Sequence, residues 1–341
     1  MADRQSARAV SGILKDLGDG LILRQARRED AEAVAAFNAK IHYTSGGPYE
    51  QREPHRGIAA STRDLMSGNH PTCDAPDFTV VEDTRTDSIV SSACLIGQRL
   101  SYEGLEFDAG LPELVGTHPD YRRRGLVKEQ FEVLHRWSND RGHLMQAIAG
   151  IPYYYRRFGY EMAVWMGEGR RIYVQDVPEK PSSSEEDGHA HRSYRLRPAS
   201  SSDAGFIADL DRRRRGRYLL AASRDERMWR YEITGRDPEG DESLQVRIVE
   251  DEVGHAVGYV CHTRDAQDGT LQVFAYELVD GVSWLEVTPD ALRGLAKIVR
   301  ELIPNGEKLA SLTFGLGEHH PLYETVPEPP LYELDRRDHY S

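Results

Sequence analysis

This chain begins a folded segment in the same way twice, and that constrains its fold more than any other feature. Leu23-Arg-Gln-Ala26-Arg-Arg-Glu-Asp30-Ala31-Glu-Ala-Val34-Ala35 aligns without a gap against Leu196-Arg-Pro-Ala199-Ser-Ser-Ser-Asp203-Ala204-Gly-Phe-Ile207-Ala208, with six of thirteen positions identical. Each copy reads as a short strand, a polar turn and a helix with acidic residues near its start. Shared helix-start chemistry alone can produce such matches; two copies of one fold is the favoured reading. Between the copies lies Pro178-Glu-Lys-Pro-Ser-Ser-Ser-Glu-Glu-Asp-Gly188, with no aliphatic or aromatic side chain to bury, which predicts a linker. The expected layout is a loosely held arm over 1–20, a first domain over 21–177, a linker over 178–192 and a second domain over 193–341. A length of 341 residues accommodates about two domains, or three small ones.

Composition excludes several functional classes. With 43 Lys+Arg against 56 Asp+Glu, the net charge of −13 argues against a nonspecific nucleic-acid binder and mildly favours a cationic acceptor, although acidity also serves solubility. Cys73, Cys94 and Cys261 fit neither a disulfide framework nor metal-ligand spacing, which points to a reducing compartment and no metal. No run is long and apolar enough for a membrane span or a signal peptide, so the expectation is a cytoplasmic protein without membrane or nucleic-acid partners, with a homo-oligomer left open.

In the first half, Phe78 to Glu82 and Ile89 to Ile96 read as a hairpin. Gly104 to Ala109 and Leu114 to Thr117 read as strand pieces around a Gly110-Leu-Pro112 breaker. Leu126, Gln130, Phe131, Leu134 and Trp137 recur at helical spacing, and His143 to Ala149 reads as a further strand. The order predicts an α/β fold with a mixed sheet. The informative stretch is Leu114-Val-Gly-Thr117-His-Pro119-Asp-Tyr-Arg122-Arg-Arg-Gly125-Leu-Val127. Here a strand runs into a basic, glycine-containing loop that opens a helix. Unpartnered amides at a helix start favour an anion, Gly125 permits close approach, and Arg122, Arg123 and Arg124 neutralise charge. Neither the P-loop pattern nor the dinucleotide-binding glycine pattern is present.

The Arg-x-x-Gly-x-Val stretch resembles motif A of the GNAT superfamily of N-acetyltransferases, with Val127 departing from the Gly or Ala the family prefers. Tyr155-Arg-Arg-Phe158-Gly159-Tyr160, after the following strand, is similar to that family's motif B. The tandem arrangement resembles the group that includes the enhanced intracellular survival protein, without its sterol-carrier-like C-terminal domain. The resemblance is strong over about Leu23 to Met166 and thin beyond the linker. It implies tandem acyl-CoA N-acyltransferase folds with a degenerate second copy, and acetyl transfer from acetyl-CoA to a small-molecule or peptide amine by direct attack in a ternary complex.

On that resemblance, backbone groups of Val115, Gly116 and Thr117 pair with the pantetheine arm. Arg122, Arg123, Arg124, Gly125, Leu126, Val127 and Lys128 hold the pyrophosphate. Tyr155, four residues before Gly159, is the expected general acid, with Tyr153 and Tyr154 as the bland alternatives. The base is less determined. Glu113 is the first choice because strand alternation puts it on the face of Val115 and Thr117. His118, the terminal carboxylate of Ser341 and water are the alternatives.

The second half offers strands at Leu244 to Glu250, Ala256 to His262 and Leu271 to Leu278, and a helix from Thr288 to Leu302 without an Arg-x-x-Gly entry. Arg212-Arg-Arg-Arg-Gly216 follows a helix rather than a strand and reads as a solvated or interface face. His319-His320 does not make a metal site by itself. The competing functional reading is a catalytically inactive acyl-CoA-binding or structural protein.

Overall fold

The computed structural model describes residues 12–42, 48–151, 153–163, 169–179, 192–303, 309–326 and 331–333. Most of the expected linker, part of the expected arm and the C-terminal carboxylate lie outside the described residues. The chain divides into two compact units. The first comprises Met1–Glu161, Ala221–Ser223 and Gly235–Ser243; the second comprises Met162–Leu220, Arg224–Thr234 and Leu244–Ser341.

The first unit contains strands β1 (Ile13–Gly18) and β2 (Leu21–Gln25), helices α1 (Ala31–Ile41) and α2 (Arg56–Met66), strands β3 (Phe78–Asp83), β4 (Ser88–Tyr102) and β5 (Leu105–Thr117), helix α3 (Leu126–Asp140) and strand β6 (Met145–Gln146). The strands lie in the order β1-β2-β3-β4-β5-β6, all neighbours antiparallel except β5 and β6. Residues 13–18, expected in a loose arm, instead form β1 paired with β2. One sheet face is covered by α1 and α2, where Val34, Leu65 and Met66 pack with Phe78, Val80 and Cys94. The other is covered by α3, whose Leu134 packs with Ala93 and Leu95.

Strand β5 runs unbroken through Gly110 and Pro112, where sequence suggested a break. The carbonyls of Asp108 and Gly110 accept from Leu144 and Ala147 on the β6 side. Backbone groups alternate along a strand, so Pro112 turns its missing N–H to that same side. Ladder pairing with β6 there ends at Gly110, and the proline costs no ladder bond.

The second unit contains β7 (Arg170–Tyr173), β8 (Arg195–Pro198), helix α4 (Ala204–Arg214), α5 (Glu226–Arg230), β10 (Leu244–Glu250), β11 (Ala256–Thr263), β12 (Thr270–Leu278), helix α6 (Trp284–Leu302), β13 (Ser311–Phe314) and β14 (Leu331–Glu333). Strand β9 (Leu220–Ala222) instead pairs with β4 of the first sheet. The second sheet runs β14-β7-β13-β12-β11-β10-β8. Strand β7 precedes the expected linker yet pairs with β13, so this sheet begins before residue 177. Helix α6 starts at Trp284 rather than Thr288, with Pro289 inside it.

Within each unit the repeated sequence makes the same clamp. In the first, the Arg24 guanidinium donates to both Asp30 oxygens at 2.7 and 2.9 Å and to Glu82 at 2.6 Å, while the Arg27 N–H donates to Asp30 at 2.7 Å. In the second, Arg197 donates to both Asp203 oxygens at 2.8 Å and to Glu250 at 2.5 Å, while the Ser200 N–H donates to Asp203 at 2.7 Å. Two of the six identities, the arginine and the aspartate, are therefore the two ends of one bidentate bridge.

Candidate active site

The site is organised by a bulge in β5. Ser92 pairs with Gly116 and Cys94 with Glu113, so Leu114 and Val115 together face the single residue Ala93. Leu114 takes a left-handed φ of 53° to absorb the extra residue. The bulge resets the alternation and overturns the expectation that Glu113 shares a face with Val115 and Thr117. Val115 packs beside Leu134 and Trp137 on the α3 face. Thr117 lies on that face too, its Oγ1 2.9 Å from Ser91 Oγ, which is 2.7 Å from Gln130 of α3. Glu113 pairs with Cys94 and so faces α1 and α2, as does Gly116, where an added Cβ would lie 2.2 Å from Ile41 of α1.

Beyond the bulge the alternation also sorts the backbone. The Gly116 carbonyl lies 2.8 Å from Ser91 Oγ, on the β4 side. Val115 and Thr117 therefore turn their N–H and C=O groups to the side that β6 leaves after Gly110. The Arg122 guanidinium reaches the Thr117 carbonyl there at 3.5 Å. Of the three expected backbone partners, two face the open edge, while Gly116 serves close packing. Gln130 is wholly buried and links Ser91 to Thr79 beneath this edge, and no sequence motif marks either residue.

The loop to α3 turns through a short helical turn at Pro119–Tyr121, then Arg123 at φ 64° and Gly125 at φ 77°, both left-handed. Such reversals before a helix make neighbouring amides converge on one concavity. Arg122, Arg123 and Arg124 are exposed, and Arg124 stacks on Tyr121 at 4.9 Å. Leu126 buries its side chain in the core, leaving only its amide for the loop, while Lys128 pairs with Glu132 at 3.6 Å. His118 accepts from the Asp120 N–H through Nδ1, which makes that nitrogen a cap rather than a base.

Tyr155 opens a helical turn ending at Gly159, after β6. Its ring packs against Phe131 at 5.8 Å and Tyr154 at 5.1 Å, and an added Cβ on Gly150 would lie 2.9 Å from it. Burial pushes its phenol up to about 12, with Tyr154 and the nearby Glu113 carboxylate adding to the effect. Burial likewise pushes Glu113 up to about 7, with Glu242 raising it further and the Leu114 N–H opposing. The structure thus brings Tyr155 and Glu113 into one electrostatic neighbourhood. Tyr153 is exposed and carries a left-handed φ of 65°. His42, at the end of α1, is a further group that sequence gave no reason to select. It makes a backbone hydrogen bond at Leu114, its Nε2 is buried without a partner among the described residues, and burial holds it below the usual imidazole range.

Residues 26–163 match the acetyltransferase (GNAT) domain family. The matched segment contains the β5 bulge, the arginine loop and Tyr155. Over most of its length the chain shares its fold with solved structures described as GCN5-related N-acetyltransferases from Kribbella flavida and Anabaena variabilis and as a probable N-acyltransferase from Enterococcus faecalis. Identities are 17%, 14% and 16%, TM-scores 0.58, 0.58 and 0.59, and coverage 92% of this chain and 69%, 70% and 70% of those chains, respectively. No curated protein sequence matches the chain. Both halves thus carry the mixed α/β architecture of the acetyltransferase fold.

The second unit treats the corresponding place differently. Its parallel pair, β12 and β13, also separates after Val273 and Phe314. There His320 hydrogen-bonds the Tyr276 carbonyl at 2.8 Å, the Tyr323 hydroxyl donates to the Phe314 carbonyl at 2.8 Å, and the Tyr218 hydroxyl donates to the Leu316 carbonyl. Part of the Arg212–Gly216 run turns inward rather than to solvent, since Arg215 is buried and Arg214 bonds the buried Asp211. Among the described residues no cluster of three or more His, Cys, Asp or Glu could hold a metal, and no helix is long and apolar enough to cross a membrane.

Proposed function

We propose that this protein transfers an acetyl group from acetyl-CoA to a primary amine by direct attack in one ternary complex, using the first unit. The open edge of β5 at the bulge carries this reading, with the arginine loop at one end and Tyr155 and Glu113 beside it. Acetyl-CoA supplies an activated acyl thioester and a pyrophosphate. The exposed Arg122, Arg123 and Arg124, with the amides of Gly125, Leu126, Val127 and Lys128, suit the pyrophosphate. Val115 and Thr117 offer backbone groups to an extended arm as a neighbouring strand would. Tyr155 stays protonated at pH 7 and so can give its proton to the thiolate as the C–S bond breaks, regaining one from the nitrogen of the newly formed amide. Glu113 takes the ammonium proton and releases it to water afterwards; near 7, it is part ionised at neutral pH.

On this reading the chain is a tandem acetyltransferase similar to the enhanced intracellular survival protein group, working in the cytoplasm. The duplicated arginine clamp supports the tandem part, and the self-capped β12 edge supports a second copy without acyl-CoA. The test is thiol release from acetyl-CoA over a panel of primary amines. We expect turnover with at least one amine and a loss of about a hundredfold or more in kcat for Tyr155→Phe, with acetyl-CoA binding retained. Binding without turnover on any amine supports an inactive acyl-CoA-binding protein instead.

A further inference from the structure

The segment Gly235–Ser243 lies between α5 and β10 in sequence, yet it belongs to the first compact unit. It is laid along one stripe of α2. An added Cβ on Gly57 would sit 1.7 Å from Asp241 Oδ1, and one on Gly240 would sit 2.8 Å from Ser61 Oγ. The Asp237 N–H donates to Asp64 at 3.3 Å, and Asp241 lies 3.3 Å from His55 just before the helix. Gly57, Ser61 and Asp64 stand four and three residues apart, the spacing of a single helical face. The segment is therefore seated on α2, on the sheet face to which the bulge turns Glu113. Its next residue, Glu242, is exposed, and Ser243 after it is buried.

We propose that this segment is the amine-side wall of the site and that Glu242 is a positioning residue acting through Glu113, so that a cationic amine meets two carboxylates far apart in sequence. The proposal rests on the reading of Glu113 as proton acceptor given above. A carboxylate near a buried carboxyl makes ionising the buried one harder, so Glu113 holds its proton more tightly. Glu242 is accordingly the charged neighbour that raises Glu113 beyond what burial does. The Glu113 carboxylate also bears on Tyr155 from the loop after β6 and on Cys94 from β4, and His42 from the end of α1 bonds the Leu114 backbone next to it. The phenol and thiol are pushed up by burial and the imidazole down, so all three are neutral at pH 7. An arriving ammonium relieves the repulsion, and Glu113 then ionises as the amine binds.

The test is a carbon-13 NMR titration of the Glu113 carboxyl in the full chain, assigned with Glu113→Gln. The variants are Glu242→Gln, Glu242→Asp and Glu239→Gln, the last an exposed carboxylate of the same segment. We expect the midpoint to fall by about half to one pH unit in Glu242→Gln and to stay in place in Glu242→Asp and Glu239→Gln. An unchanged midpoint in Glu242→Gln overturns the proposal, as does an equal fall in Glu239→Gln, which would reflect net charge alone. This readout needs no turnover: the expected shift in a chain that acetylates no amine supports the coupling and counts against the catalytic reading.

Discussion

Replacing Glu113 with glutamine should make the protein more stable at alkaline pH while making it a poorer enzyme. Burial moves this carboxyl from its ordinary 4.5 to about 7, so the native state binds the proton more tightly than the unfolded chain does. Its favourable contribution is complete below the unfolded value and is lost as pH rises through the native value. At 1.36 kcal/mol per pH unit, the burden of ionising Glu113 is about 0.8 kcal/mol at pH 5 and about 3.3 kcal/mol at pH 8. Glutamine keeps the shape without ionising, so Glu113→Gln should gain about 2.5 kcal/mol relative to wild type between these two pH values. Urea unfolding of both proteins at pH 5 and pH 8, followed by tryptophan fluorescence, measures the difference directly. A difference that stays constant, or shrinks as pH rises, would refute the claim that Glu113 is a buried base with raised proton affinity.

Other outcomes follow from packing and charge. The two arginine clamps have nearly the same geometry but differ in exposure, 10% for Arg24 against 35% for Arg197. Arg24→Ala should cost about 3 kcal/mol and Arg197→Ala about 1 kcal/mol or less in urea titrations, and equal costs would show that burial is not what decides. Gly116→Ala drives a Cβ to 2.2 Å from Ile41 and should lower stability by about 1 to 3 kcal/mol while lifting α1 from the bulge. Gly150→Ala places a Cβ 2.9 Å from the Tyr155 ring. It should lower kcat with little loss of acetyl-CoA affinity; an unchanged kcat would mean that the ring's seat is not critical.

The elements that sequence made legible were those with strong local chemistry. The duplicated Leu-Arg-x-Ala-x-x-x-Asp entry was visible because both ends of its bridge fall in one short segment, Arg24 with Asp30 and Arg197 with Asp203. The arginine loop was visible because a glycine was needed at the helix start, where Gly125 takes φ 77°. Three things were hidden for the opposite reason. The bulge turns on the left-handed φ of Leu114, a residue type that gives no hint of it, and so Glu113 was expected on the wrong face. The continuity of β5 through Pro112 depends on where β6 stops pairing. The seat of Gly235–Ser243 on α2 joins residues nearly two hundred positions apart, which no local pattern encodes.

Titration calorimetry with acetyl-CoA, on the full chain and on an Arg122→Ala, Arg124→Ala double variant, tests the central claim most directly. The wild-type chain should bind one equivalent, with affinity lowered about tenfold or more when the two charges are removed. No binding to the wild-type chain, two equivalents per chain, or binding indifferent to both arginines would contradict it.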